Sequence, residues 1–130
     1  MLILRLSAAL FLLAWLGVVI PTQWMKTMHE IGNTGPWVES PMFLYLARSV
    51  SALYGFYGMV TWFLARDVNR YLPLIRFLAW AGLPMAVVLV AIGYTAGLPA
   101  WWYITEGVAV VVISLAWVWA ARSITVTNVP

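Results

Sequence analysis

The chain has 130 residues, 65% of them hydrophobic and only 8% charged, a balance outside the range of soluble globular domains and expected of a membrane protein. Its net charge of +3 comes from 7 basic and 4 acidic side chains that form no basic stripe, so nucleic acid is not an expected partner and lipid headgroups are. With no cysteine and a single histidine, His29, the chain cannot build disulfides, thiol redox centres, iron–sulfur clusters, cysteine zinc sites or a bis-histidine haem, and no cofactor is expected.

The first apolar run, residues 4–21, carries one early basic residue, Arg5. That start resembles a signal peptide, but no small-x-small site precedes Pro21 and further apolar runs follow, so an uncleaved first span is expected. After it, "TQWMKTMHEIGNTGPW" places Trp24, Met28 and Ile31 at helical spacing, with Gln23, Lys26, Thr27 and Glu30 largely elsewhere on the wheel. This predicts a short interfacial helix in the first external loop. "GNTGP" should end it, Trp37 should anchor the chain at headgroup depth, and His29 is expected to be an exposed loop residue.

Three more apolar runs follow, at residues 41–64, 73–96 and 99–121, each near the ~20 residues that cross ~30 Å of hydrocarbon. All four runs should be helices, because open strands leave backbone groups unsatisfied in lipid. The predicted fold is therefore all-α, an integral membrane four-helix bundle forming a single transmembrane domain over residues 1–130. Ser40 before Pro41 predicts an N-cap and first turn, Pro99 should open the last helix, and Gly97 should end the third. Pro84, with Gly82 nearby, predicts a kink. Asp67 is expected to pair with Arg66 or Arg70 in a solvated turn, and Glu39 to favour the start of the second span. Arg66, Arg70 and Arg76 surround the middle connection, while Arg5 and Arg122 lie near the chain ends. This bias predicts a multi-pass protein of the cell membrane with both termini cytoplasmic.

Only Arg48 and Glu106 lie well inside predicted spans, and their charges are opposite. Each is seven residues past the external start of its helix at Pro41 or Pro99, which at ~1.5 Å per residue puts both ~10 Å deep, where they can meet. An unpaired charge near mid-helix costs ~2.5–3.5 kcal/mol on insertion scales, less toward the interface, so an ion pair between them or a wet cavity is expected. Around Arg48 the helix carries Tyr45, Ser51, Ala52, Gly55 and Met59 on one face, mostly small residues that let another helix approach, with Gly58 adding to that effect. Phe56, Tyr57 and Leu64 form a bulkier side suited to lipid. Glu106 shares a face with Trp102, Ala109, Ile113 and Trp117. Two readings of the pair follow. It is a buried bridge, hydrogen-bonded by Tyr45, Ser49 or Thr105, that fixes helix register, or it lines an externally open pocket in which Trp101, Trp102 and Tyr103 contact an apolar or cationic ligand.

The stretches "YLARSVSALYGFYG", "RDVNRYLPLIRF" and "GLPAWWYITEG" together resemble small bacterial four-helix membrane proteins of the DoxX-like neighbourhood, over residues 43–121. The resemblance implies a four-helix bundle, matches Arg48 and Glu106 as positions, and suggests an accessory role in a membrane complex.

The leading functional expectation is a non-enzymatic membrane protein that binds a lipid or other hydrophobic molecule near Arg48 and Glu106, or serves as a subunit of a membrane complex or homo-oligomer. One alternative is a small proton-coupled exporter acting as a homodimer, against which Arg48 counts, since a cation beside Glu106 would hold it ionised. Another is a lipid-modifying enzyme, for which one carboxylate without a second acid or base is thin support.

Overall fold

A computed structural model describes residues 2–124. The described chain is all-helical, with five helices and, among these residues, no strand: α1 (Leu2–Val19), α2 (Thr22–Ile31), α3 (Pro41–Leu64), α4 (Val68–Thr95) and α5 (Ala100–Arg122). A single 3-10 turn, Leu13–Trp15, interrupts α1. Three of the helices, α1, α4 and α5, are long and apolar enough to cross a membrane. Although α3 has 24 residues, Arg48 and its tyrosines and glycines dilute its apolar character.

The helix ends follow local chemistry. Ser40 has extended backbone, and its Oγ accepts from the Phe43 amide at 3.1 Å, ahead of Pro41 in the first turn. This is the predicted N-cap. Ser40→Ala should lower stability by about 1 kcal/mol, and Ser40→Gly by a few tenths, in a reversible unfolding titration. Gly97, at φ +73, follows α4 as predicted; its N–H donates to the Tyr94 carbonyl while that of Leu98 donates to the Gly93 carbonyl, the paired closure of a Schellman motif. The same closure ends α2. There Asn33 takes the left-handed position at φ 48, Asn33 N–H donates to Glu30 and Thr34 N–H to His29.

Two expectations are corrected between α3 and α4. The Asp67 carboxylate accepts from the backbone amide of Arg70 at 3.1 Å, so it caps α4, and among the described residues the one salt bridge is Lys26–Glu30. Because Asp67 caps the helix, α4 begins at Val68 and runs through both Pro73 and Pro84. The apolar run at 73–96 had been the expected span; the helix also takes in residues 68–72, because a proline in the second turn of a capped helix removes only one backbone hydrogen bond.

Four of the five helices assemble as two antiparallel hairpins, with α2 in the connection between α1 and α3. α3 packs along α1, and α4 packs along α5, whereas contacts between the two pairs are few. Small residues set the first contact: Gly17 faces Ser51, Gly55 lies under the Trp15 indole, and Gly58 touches the backbone of Leu12. In the second pair, Gly82 faces Ser114, Gly93 faces Tyr103 and Gly107 faces Val90. The hairpins join at one end, where Leu4, Leu64, Val68, Leu72, Ile75, Ala79, Trp117 and Ala121 form a common core. Leu64, expected to face lipid, is therefore buried. The start of α1, the α3–α4 turn and the end of α5 share this end, and Arg5, Arg66, Arg70, Arg76 and Arg122 flank it. Arg76 donates to the Ala121 carbonyl there, over 3.4 Å.

Candidate functional site: an apolar cleft between the hairpins

Away from their shared core the hairpins stand apart and leave a cleft of about 490 Å³, within the ~300–1,000 Å³ range of small-molecule sites. Phe11 contributes from α1, and Val50, Leu53, Tyr54 and Tyr57 from one stripe of α3. The opposite walls come from Leu78, Met85 and Leu89 of α4 and Val110, Ile113, Ser114 and Trp117 of α5. The lining is apolar except for the hydroxyls of Tyr54, Tyr57 and Ser114 and the Trp117 indole N–H.

Two contacts cross the cleft between α3 and α5. At the floor, the Tyr57 ring lies parallel to Trp117, with centroids 6.4 Å apart, and meets the edge of Phe11 at 5.1 Å. Trp117 is fixed from behind, because its Nε1 donates to the Ser7 hydroxyl over 2.9 Å in a buried contact. At the rim, the Tyr54 hydroxyl donates to Oε1 of Glu106 over 3.5 Å, the outer limit of a hydrogen bond. Glu106 is half-buried, one turn above Val110 of the wall.

The expected ion pair does not form. Among the described residues no basic group lies within 4.0 Å of Glu106, and the Arg48 Nε is buried without a hydrogen-bond partner. Helix pairing explains this. Arg48 belongs to the α3 stripe of Ser51, Gly55 and Gly58, and that stripe packs on α1. Since Ser51 meets Gly17 and Gly58 meets Leu12 in this antiparallel pair, Arg48 is level with the end of α1. That end of α1 is the negative end of its helix dipole. Glu106 belongs to the other hairpin. Equal counts from two prolines gave equal depth only for helices that start level and face each other, and α3 and α5 do not pair.

The remaining expected site residues are dispersed. Tyr45 is exposed, and no hydrogen bond from Tyr45, Ser49 or Thr105 reaches either charge among the described residues; Thr105 turns back to the Trp101 carbonyl. Trp101 and Trp102 are exposed and meet edge to face at 5.4 Å, while Tyr103 packs on Gly93. None of the three lines the cleft. Tyr57, expected to face lipid, is half-buried in it. What the spacing of the sequence did carry was the stripe Val50, Leu53, Tyr54 and Tyr57, at i, i+3, i+4 and i+7, adjacent to the glycine stripe.

A second polar cluster lies above. His29, expected to be an exposed loop residue, sits half-buried in the last turn of α2. Its Nδ1 meets the Thr34 hydroxyl at 2.8 Å and its Nε2 meets the Gly35 carbonyl at 3.1 Å. Because a carbonyl only accepts, Nε2 is the donor. The ring also meets the edge of Trp37 at 5.5 Å and faces Phe43 at 6.2 Å, tying the loop to the start of α3.

The chain matches no protein-family model, no curated protein and no solved structure.

Proposed function

We propose that the chain is a multi-pass membrane protein that holds a hydrophobic molecule in the cleft between its two helical hairpins. The observation that carries this is the cleft itself. An apolar space of about 490 Å³ is far larger than the voids left in a close-packed interior, and only a lipid-like occupant replaces the missing packing without stranding polar groups.

In this reading α3 is a fourth span, and the result is a four-helix membrane bundle. Its 24 residues suit the hydrocarbon thickness, and packing against α1 shields its small residues. The basic end, where the hairpins share their core, is cytoplasmic with both termini, in line with the positive-inside bias. α2 lies in the opposite interface. Its apolar side chains Trp24, Met28 and Ile31 are 63%, 61% and 81% exposed, which an amphipathic helix tolerates when lipid covers that face. A DoxX-like relationship and a role as an accessory subunit belong to the same reading, supported by the quoted stretches around Arg48 and Glu106.

The test is native mass spectrometry of protein extracted with its surrounding lipid. Wild-type protein should retain a bound hydrophobic molecule. Ala81→Trp, which projects an indole into the cleft from its α4 wall, should abolish retention while the protein stays folded. If wild type carries nothing, or if Ala81→Trp retains the same molecule, binding in the cleft is wrong. One observation favours a second reading, the small proton-coupled exporter acting as a homodimer: with Arg48 on the α1 side, no basic group among the described residues lies within 4.0 Å of Glu106 to repel a cationic substrate. Proton release from purified protein on addition of a cationic substrate, lost in Glu106→Gln, is its signature.

A further inference from the structure

We infer that the occupant of the cleft is a lipophilic monocation, an apolar body bearing one amine or ammonium group, with Glu106 as its counter-ion. This rests on the reading of the cleft as a site for a hydrophobic molecule and adds the chemistry of its head.

The first observation is an uncompensated carboxylate. Glu106 is half-buried on α5, one of the three helices apolar enough to cross a membrane. Within 4.0 Å it has no basic partner among the described residues, and its one side-chain hydrogen bond is the 3.5 Å contact from Tyr54. A half-buried carboxylate without a basic neighbour is where a positive charge on an occupant finds its counter-ion. The second observation is position. Tyr54, which touches Glu106, also lines the cleft, as does Val110 one turn below the carboxylate. The acid therefore stands at the rim of an apolar space, with a roughly 16 Å rise along α5 down to Trp117 at the floor. That geometry is polar at one end, apolar along its length and closed at the other end.

Charge balance then separates the possible occupants. A fatty acid would bring a second carboxylate against Glu106, which repels it. A zwitterionic phospholipid would bring a phosphate with its ammonium, and no basic residue lines the cleft to receive that anion; Arg48 lies on the other face of α3. A neutral long-chain alcohol would fill the apolar space but leave the carboxylate without a counter-charge. A single ammonium head neutralises Glu106 and introduces no further charge, and the Tyr54 ring beside it adds a π face.

Binding of dodecylamine, dodecanol and dodecanoate to the purified protein in one neutral detergent, followed by native mass spectrometry at neutral pH, tests this. The amine is protonated there, as a lysine side chain is. Wild type should bind dodecylamine at least about tenfold more tightly than dodecanol, the scale of one charge-assisted hydrogen bond, and dodecanoate least. Glu106→Gln should lose that preference while still binding dodecanol, which also reports that the cleft is intact. Equal binding of amine and alcohol by wild type, or an amine preference that survives Glu106→Gln, overturns the counter-ion role and leaves the cleft standing. Binding of none of the three chains overturns the cleft reading itself.

Discussion

Trp117→Ala is expected to lower the unfolding free energy by about 2–3 kcal/mol, with Trp117→Phe costing roughly 1 kcal/mol. Trp117 is only 2% exposed. It joins both hairpins, because its indole N–H donates to Ser7 of α1, its ring faces Tyr57 of α3, and its own helix packs on α4. In a soluble core, truncating such a residue costs ~3–5 kcal/mol, part of it from lost transfer out of water. Where unfolded helices stay in lipid, the transfer part fades and the cavity and broken hydrogen bond remain. Alanine opens a void that merges with the cleft and strands the Ser7 hydroxyl. Phenylalanine keeps most of the packing and removes the donor. Reversible unfolding in mixed micelles should order the variants wild type, then Phe, then Ala; an alanine variant as stable as wild type would mean that the hairpins are not joined through this side chain.

The helices were legible in the sequence because their signals are local. Apolar runs of spanning length, Ser40 before Pro41, Gly97 past the third run and the spacing of Trp24, Met28 and Ile31 each lie within one element, and each is matched by a helix or helix end in the structure. α4 starts ahead of the apolar run at 73–96, because the signal that sets its start is Asp67, a side chain able to cap. Partner choice was not legible. The stripe of Ser51, Gly55 and Gly58 announces a close neighbour without saying which, and the neighbour is α1. Placing Arg48 and Glu106 together assumed that α3 faces α5 along its length. Once α3 pairs with α1, the same periodicity turns Arg48 toward α1 and turns Tyr54 and Tyr57 to the cleft. A charge pattern in one dimension cannot reveal that a tyrosine hydroxyl, not a guanidinium, reaches the acid.

Gly58→Leu should uncouple α1 from α3 and destabilise the protein by at least about 2–3 kcal/mol, the upper range for overpacking a contact that cannot relax. A Cβ at Gly58 would lie 2.7 Å from the backbone nitrogen of Leu12. Backbone inside a helix cannot step aside, so α1 must shift bodily, and the contacts of Gly17 with Ser51 and of Trp15 with Gly55 shift with it. Gly17→Ala is the informative comparison. Its new methyl would lie 2.5 Å from the Ser51 hydroxyl, which can rotate away, and 3.0 Å from the Ser51 Cβ, which must give by a few tenths of an ångström, so its cost should be smaller. Both changes are small-to-large and both lie on the same helix pair; they differ in whether the obstacle is main chain or a movable side chain. In the proposed membrane reading the pair is held by close approach and not by exclusion of water, so separation would remove most of what holds α1 in place. The Gly17→Cys, Ser51→Cys pair, whose Cβ atoms start 3.0 Å apart and must open by about 0.5 Å to reach disulfide geometry, should cross-link in otherwise native protein and poorly when Gly58→Leu is added, and equal yields in the two backgrounds would contradict α1–α3 pairing through this stripe.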